Sequence, residues 1–402
     1  MFKVLTNEFK LVLKDQGVLI FFLLLPFTYP ILYSLIYNTE VARDVPVVVV
    51  DDSRSQASRD MVRRLDATPE VRVIGIEPTV NDARRCMAEK QCYAVIHIDR
   101  DFSDNEALGL QSDIIAYCDM SVVLRYKNVL SALTNVTQAI AAERQAAAVA
   151  PIIYNTGNVV ESEHVPVGNT AIGIASAVLL FILPLVLQQS MILGIGMLGG
   201  GSIERRRRCA GHDPLEVEAG VVSTVLGKSL CYLVIYALPT IFVLHVTPHI
   251  FDFPQNADAF EVLALALPFM VATSLMGQIL KSFINEREST FLVFVFSSVI
   301  FVFLAGVSWP RFMMSTFWHA VGDCVPGVWM SNAYVLMQSD GASLGQVSRI
   351  IAIMWVQCAI FFVLACAVEH FVSRPRYRRY KHLATTDPGA LRRYELIKNG
   401  LL

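Results

Sequence analysis

Charge is what this sequence has least of: only 17% of its 402 residues are Asp, Glu, Lys or Arg, against 54% hydrophobic. A soluble chain of this length needs far more polar surface to cover its core, so the composition points to a membrane protein. Paired cysteines are also missing. The eight cysteines are scattered singly, with no CxxC pair and no Cys/His cluster at zinc spacing, so no metal centre is expected. A nucleotide-binding loop is absent as well. Gly227-Lys228-Ser229 resembles the end of one, but the glycine required five residues earlier is Val222, and no strand precedes it. His245 and His249 have helical metal-ligand spacing, yet Pro248 interrupts that turn and no carboxylate stands beside them. No Ser/His/Asp set, HExxH or paired acidic motif occurs in a fitting context, so the chain is read as no enzyme.

What is present is a series of apolar runs. A helix needs about 20 mainly apolar residues to cross a bilayer. Six stretches meet that need, at residues 17–37, 170–198, 223–251, 260–281, 290–308 and 347–370. Lysine and arginine cluster at residues 3–14, 205–208, 281–287 and 374–393, whereas the loop at 252–261 has none and the connection after the fifth span has only Arg311; the arginine-rich stretch 38–169 is still placed outside, because long domains translocate regardless of charge. By the positive-inside rule both termini are expected in the cytoplasm of a bacterial inner-membrane protein. The first run is too long for a signal-peptide core and no small-x-small cleavage site follows, so it is read as an anchor. Ahead of it, Phe2, Leu5, Phe9 and Val12 recur at helical spacing, and residues 1–16 are expected to form an amphipathic helix on the cytoplasmic interface. Gln188 and Gln189 are polar exceptions inside the second span and are read as interhelical bonding groups.

Residues 38–169 change to the composition of a water-facing α/β domain. Apolar, β-branched runs at 46–50, 71–76, 93–98 and 114–117 alternate at first with helical patterns at 55–67 and 80–90, which predicts a parallel or mixed sheet. Val122, Tyr126, Val129, Leu133, Val136 and Ile140 then mark one long helix, with Pro151 as its expected end. On the expected oxidising side Cys86 and Cys92 form a candidate disulfide, although a third cysteine, Cys118, shares the domain. The remaining segments are a cytoplasmic loop at 199–222, an outer re-entrant segment at 309–345 and a cytoplasmic tail at 371–402. The fold class is thus a polytopic α-helical membrane protein with six transmembrane helices and an inserted extracytoplasmic α/β domain.

The loop after the second span carries Glu204, four arginines and then His212-Asp213-Pro214-Leu215-Glu216-Val217-Glu218. Asp as a cap with Pro at the first helical position predicts a short helix there, a fit surface for a cytoplasmic partner.

These features together resemble a type-2 ABC exporter permease of the subfamily with a large extracytoplasmic domain after the first span. The likeness rests on Val45-Pro46 through Asp51-Asp52, Tyr93 through Ile98 with Asp101-Phe102, Ile203-Glu204-Arg205, Gly227-Lys228, Leu304-Ala305-Gly306, Trp309-Pro310 and Cys324-Val325-Pro326. Arg206 departs from the family's usual second acidic residue, and the proline usual near Arg100 is missing. The resemblance implies a homodimer, or a pair of related permeases, docked to two cytoplasmic ABC ATPase subunits that bind ATP and magnesium. This chain itself is expected to bind no cofactor and no nucleic acid. Membrane lipids, and in several members a periplasmic adaptor, are further expected partners. The expected activity is ATP-driven export of an amphipathic or hydrophobic compound. Glu204, Arg205, Arg206, Asp213 and Glu216 are expected to couple the chain to the ATPase, with Arg287 and Glu288 in the next cytoplasmic loop. The alternatives are a mechanotransmission protein acting on periplasmic partners without substrate passage, or a membrane-anchored receptor.

Overall fold

The computed structural model describes residues 1–37, 43–108, 110–121, 123–149, 174–209, 213–217 and 219–373, with a few positions of the tail. In chain order the elements are α1 (Phe2–Lys14), α2 (Gln16–Ile36), β1 (Val45–Asp51), α3 (Gln56–Asp66), β2 (Val71–Ile76), α4 (Val80–Ala88), β3 (Ala94–Ile98), α5 (Phe102–Leu108), β4 (Ile114–Cys118) and α6 (Val123–Val149). There follow α7 (Ile174–Arg208), α8 (Val221–Ile250), α9 (Ala259–Phe283), α10 (Ser289–Ala305), α11 (Thr316–Asp323), α12 (Pro326–Gln338) and α13 (Leu344–Ser373). The chain divides into two compact units, an α/β unit over Val41–Val165 and a helical unit formed by the rest.

In the α/β unit the strand order is β2-β1-β3-β4, parallel through the first three and antiparallel at β4. β1 reads as an unbroken valine run because both its faces are covered. Val47 and Val49 meet Met61, Leu65, Val129 and Leu133 on one side, and Val48 and Val50 meet Ala83, Cys92 and Val95 on the other. α3 begins at Ser55, whose hydroxyl accepts the Ser58 N–H while the Ser58 side chain answers the Ser55 N–H, a reciprocal cap. The long helix α6 lays Val129, Leu133, Val136 and Ile140 on the sheet face, as its spacing requires. Val122 and Pro151 lie outside the described residues. Cys86 and Cys92 are free thiols in the structure, so the expected bridge is not formed. Cys92 is buried in the small cluster beneath α4, and burial pushes its thiol up to about 11.

The helical unit is built around α7, which packs against α2, α9, α10 and α12. Tyr232, Tyr236, Phe22, Leu183, Phe269 and Met354 fill its core. Among the described residues, five helices are long and apolar enough to cross a membrane: α2, α7, α8, α9 and α13. The stretch expected to span over 290–308 is the shorter α10, with 17 residues, about 25 Å. It stops at Gly306, which takes a left-handed conformation (φ +98°) as its C-terminal cap. Hydropathy runs on to Ser308 because it does not register that cap. The segment expected to re-enter is built as α11 and the well-buried α12. The Ser331 hydroxyl on α12 donates to the Phe181 carbonyl at 2.7 Å, and the Gly327 N–H donates to Gln188 Oε1 at 2.5 Å. Gln188 therefore binds a neighbouring helix, as its place in the span led us to expect.

α8 continues through Pro248 instead of breaking there. A π turn at Phe242–Val246 absorbs the proline, and the Leu244 carbonyl that would have taken the missing N–H accepts the Tyr334 hydroxyl at 2.5 Å.

Candidate functional site

The last turn of α7 sends four side chains to four different places. Arg205 forms a two-pronged ion pair with Asp213, at 3.0 and 2.9 Å. Arg206 pairs with Glu216. Glu204 Oε1 accepts the backbone N–H of Arg287 at 2.8 Å, and Arg207 reaches Glu286 at 3.3 Å on the exposed side. One helix terminus thereby holds both the 213–217 turn and the loop before α10. The arginines also complement the negative end of the helix dipole.

The N-terminal helix closes the arrangement. Asn7 Nδ2 donates to the Leu215 carbonyl at 2.6 Å, and Asp15, the cap between α1 and α2, pairs with Arg287. Glu8 is buried against α8, where the Tyr232 hydroxyl donates to it at 2.5 Å and Lys228 Nζ stands 3.7 Å away. A cavity of about 70 Å³ is left among Glu8, Arg205, Arg206, Asp213, Lys228 and Lys281. α1, α7, α8, α9 and the 213–217 turn all contribute to its walls.

The Asp213 side chain is only 2% exposed and that of Arg205 25%. Burial alone would raise the Asp213 pKa, but the Arg205 guanidinium and the Leu215 N–H outweigh it and hold the carboxyl below its ordinary range. A carboxylate lowered in this way stabilises the fold above its ordinary pKa, and that contribution disappears as pH falls through the lowered value.

Six of the seven residues expected in the coupling region are thus joined in one network: Glu204, Arg205, Arg206, Asp213, Glu216 and Arg287. Glu288 is exposed at the start of α10 and caps nothing with its side chain. The predicted helix at Asp213 is a correction. Residues 213–217 form a turn, because Asp213 spends its carboxylate on Arg205 and folds Oδ1 back onto the Leu215 N–H at 3.1 Å. His212 and Glu218 lie outside the described residues. On α1 the protein buries Val4, Glu8 and Val12, while Leu5 and Phe9 are half-buried and Phe2 is exposed.

Glu8, Asp15, Lys228 and Tyr232 were not singled out from sequence as parts of this site. Glu8 carried a readable signal: it stands midway between Val4 and Val12 at four-residue spacing, an acid set in an apolar row.

The long apolar helices define a multi-pass membrane protein. The family model described as ABC-2 family transporter protein matches residues 17–367. The chain belongs to that family, whose members are the membrane-spanning components of ABC transporters and associate with ABC ATPases. No curated protein matches the chain at a significant level.

Proposed function

We propose that this chain is the permease subunit of an ATP-driven exporter that moves an amphipathic or hydrophobic compound outward across the bacterial inner membrane. Both termini then lie in the cytoplasm, the α/β unit lies outside, and two copies or two related permeases dock on two ATPase subunits. The observation that carries this reading is the junction at the end of α7. Ion pairs and hydrogen bonds there tie the 213–217 turn, the loop before α10 and α1 to one helix.

A push on the turn by a closing ATPase does not stay local in such a junction. Arg205 and Arg206 carry it into α7, and Asn7 carries it into α1, which is fixed to α8 through Glu8 and Tyr232. Glu204 and Asp15 hold Arg287, so the loop leading into α10 moves with them. Nucleotide binding in the partner thereby biases two arrangements of the same packed helices. The α7 helix is the lever, because most of the helical unit packs on it.

Reversing the charge in Glu204→Lys removes the acceptor for the Arg287 N–H and places two cations together. The variant is expected to insert in the membrane normally while losing stimulation of the partner ATPase. Undiminished stimulation and export in Glu204→Lys would overturn the assignment.

A further inference from the structure

The cavity at the coupling junction has four cations on its walls, Arg205, Arg206, Lys228 and Lys281, against three carboxylates, Glu8, Asp213 and Glu216. All three carboxylates are engaged. Asp213 is held by Arg205, Glu216 by Arg206, and Glu8 by the Tyr232 hydroxyl with Lys228 3.7 Å away. Lys281 is the cation left over. Among the described residues it has no hydrogen-bond or ion-pair partner.

A lysine at the end of a membrane span ordinarily reaches out to water. Lys281, at the end of α9, instead turns inward. Its stem lies on α7 at Gly199, where a Cβ would meet the Lys281 Cβ at 2.9 Å and its Cγ and Cδ at 3.5 Å, and both residues line the cavity. Lys281 is half-buried, so part of its surface stays open. Of the charges around it Lys228 acts most strongly, and Lys228 is a like charge; Glu369, Glu8 and Glu216 each attract it less strongly. Two ammonium groups on the wall of one cavity call for a counter-charge between them.

One water needs about 10–15 Å³ of such space, so about 70 Å³ admits an ion with several oxygens. Lysines bind phosphate as point charges, each with three donors to share among its oxygens. Basic pockets between spans on the cytoplasmic side take phosphate head groups.

We propose that the cavity is a seat for one phosphate-class anion, held between Lys281 of α9 and Lys228 of α8. Asp213 and Glu216 form part of its wall, so opening the 213–217 turn opens the seat. The cytoplasmic placement of this end, and any effect on ATPase coupling, rest on the exporter reading above, whereas the seat itself does not. The anion is supplied either by the head group of a lipid or by free phosphate.

The test uses the full-length chain, without ATPase, in nanodiscs of zwitterionic phosphatidylcholine, with hydrogen–deuterium exchange followed at Leu215 to Val217. In one arm inorganic phosphate is titrated against sodium chloride of equal ionic strength. In the other, without phosphate, part of the phosphatidylcholine is replaced by phosphatidic acid. An anion at ten times its half-saturating concentration should slow an opening that needs the empty seat about tenfold. Lys281→Met and Lys281→Gln should lose the slowing, Lys281→Arg should keep it, and Lys10→Gln, at an exposed lysine of α1, should leave it unchanged. Slowing by inorganic phosphate alone assigns a soluble anion, slowing by phosphatidic acid alone a lipid head group, and slowing by both the phosphate chemistry they share. The comparison of phosphate with chloride needs no variant. No slowing of the wild type in either arm, or slowing that survives removal of the Lys281 charge, would overturn the seat. Loss of ATPase stimulation by partner subunits is a separate readout: it bears on the exporter reading and leaves the exchange result standing.

Discussion

Removing the Asp213 carboxylate is the sharpest local test of the coupling junction. Asp213→Ala leaves Arg205 facing a wall that no longer neutralises it. Breaking a fully buried ion pair costs about 3–5 kcal/mol. Arg205 keeps a quarter of its side chain exposed, so water recovers part of that loss and about 2 kcal/mol is the working figure. An opening equilibrium shifted by about 2 kcal/mol changes roughly thirtyfold. Hydrogen–deuterium exchange on the full-length chain in lipid reads this directly. Amides from Leu215 to Val217 should exchange about thirtyfold faster in the variant, and those of β1 and β3 should not change. Arg205→Ala combined with Asp213→Ala should cost less than the sum of the single changes, because no charge is then left stranded. In the wild type the protection should hold from neutral pH down to the ordinary carboxylate range near about 4, and fall only below it, because the Asp213 pKa is lowered. Unchanged exchange in Asp213→Ala, or strictly additive single changes, would refute the claim that this pair fastens the turn.

Three further outcomes follow from the packing. A Cβ at Gly200 would meet the Arg287 backbone at 2.8 Å, whereas one at Gly201 meets only the end of Arg205 at 3.4 Å; Gly200→Ala should lower the thermal midpoint and Gly201→Ala should leave it unchanged or raise it. Tyr232→Phe deprives buried Glu8 of its donor, worth about 1.5–3 kcal/mol for a charged acceptor, so a cysteine placed at Val4 should react with maleimide at least tenfold faster than in the parent, with roughly tenfold per 1.4 kcal/mol. Leu65→Ala should destabilise the α/β unit by about 2–5 kcal/mol, read as faster exchange at β1 and β2, while Glu143→Gln, which loses only an exposed pair with Arg64, should cost under about 1 kcal/mol.

Much of this architecture is legible residue by residue. Uninterrupted apolar runs mark α2, α8, α9 and α13, since crossing a bilayer demands length and apolarity and both are local properties. The strands β1 to β3 and their helices follow from valine-rich runs alternating with amphipathic stretches, and the observed bounds differ from the expected ones by a residue or two. Difficulty begins where a distant partner decides. Asp213 has the local signature of a helix cap, yet Arg205 captures it and a turn results. Glu8 and Tyr232 are 224 residues apart, so no local pattern reveals their bond. The length of α10 depends on one left-handed glycine, and hydropathy does not register backbone handedness.

The account's central claim is that this chain works as the membrane partner of a separate ATPase through the end of α7. Affinity purification of the tagged chain from native membranes tests it most directly, comparing wild type with Glu204→Lys. The wild type should bring down an ABC ATPase whose hydrolysis it stimulates after reconstitution in lipid, and Glu204→Lys should lose that stimulation. Recovery of the intact wild-type chain with no ATPase bound and none stimulated would contradict the account.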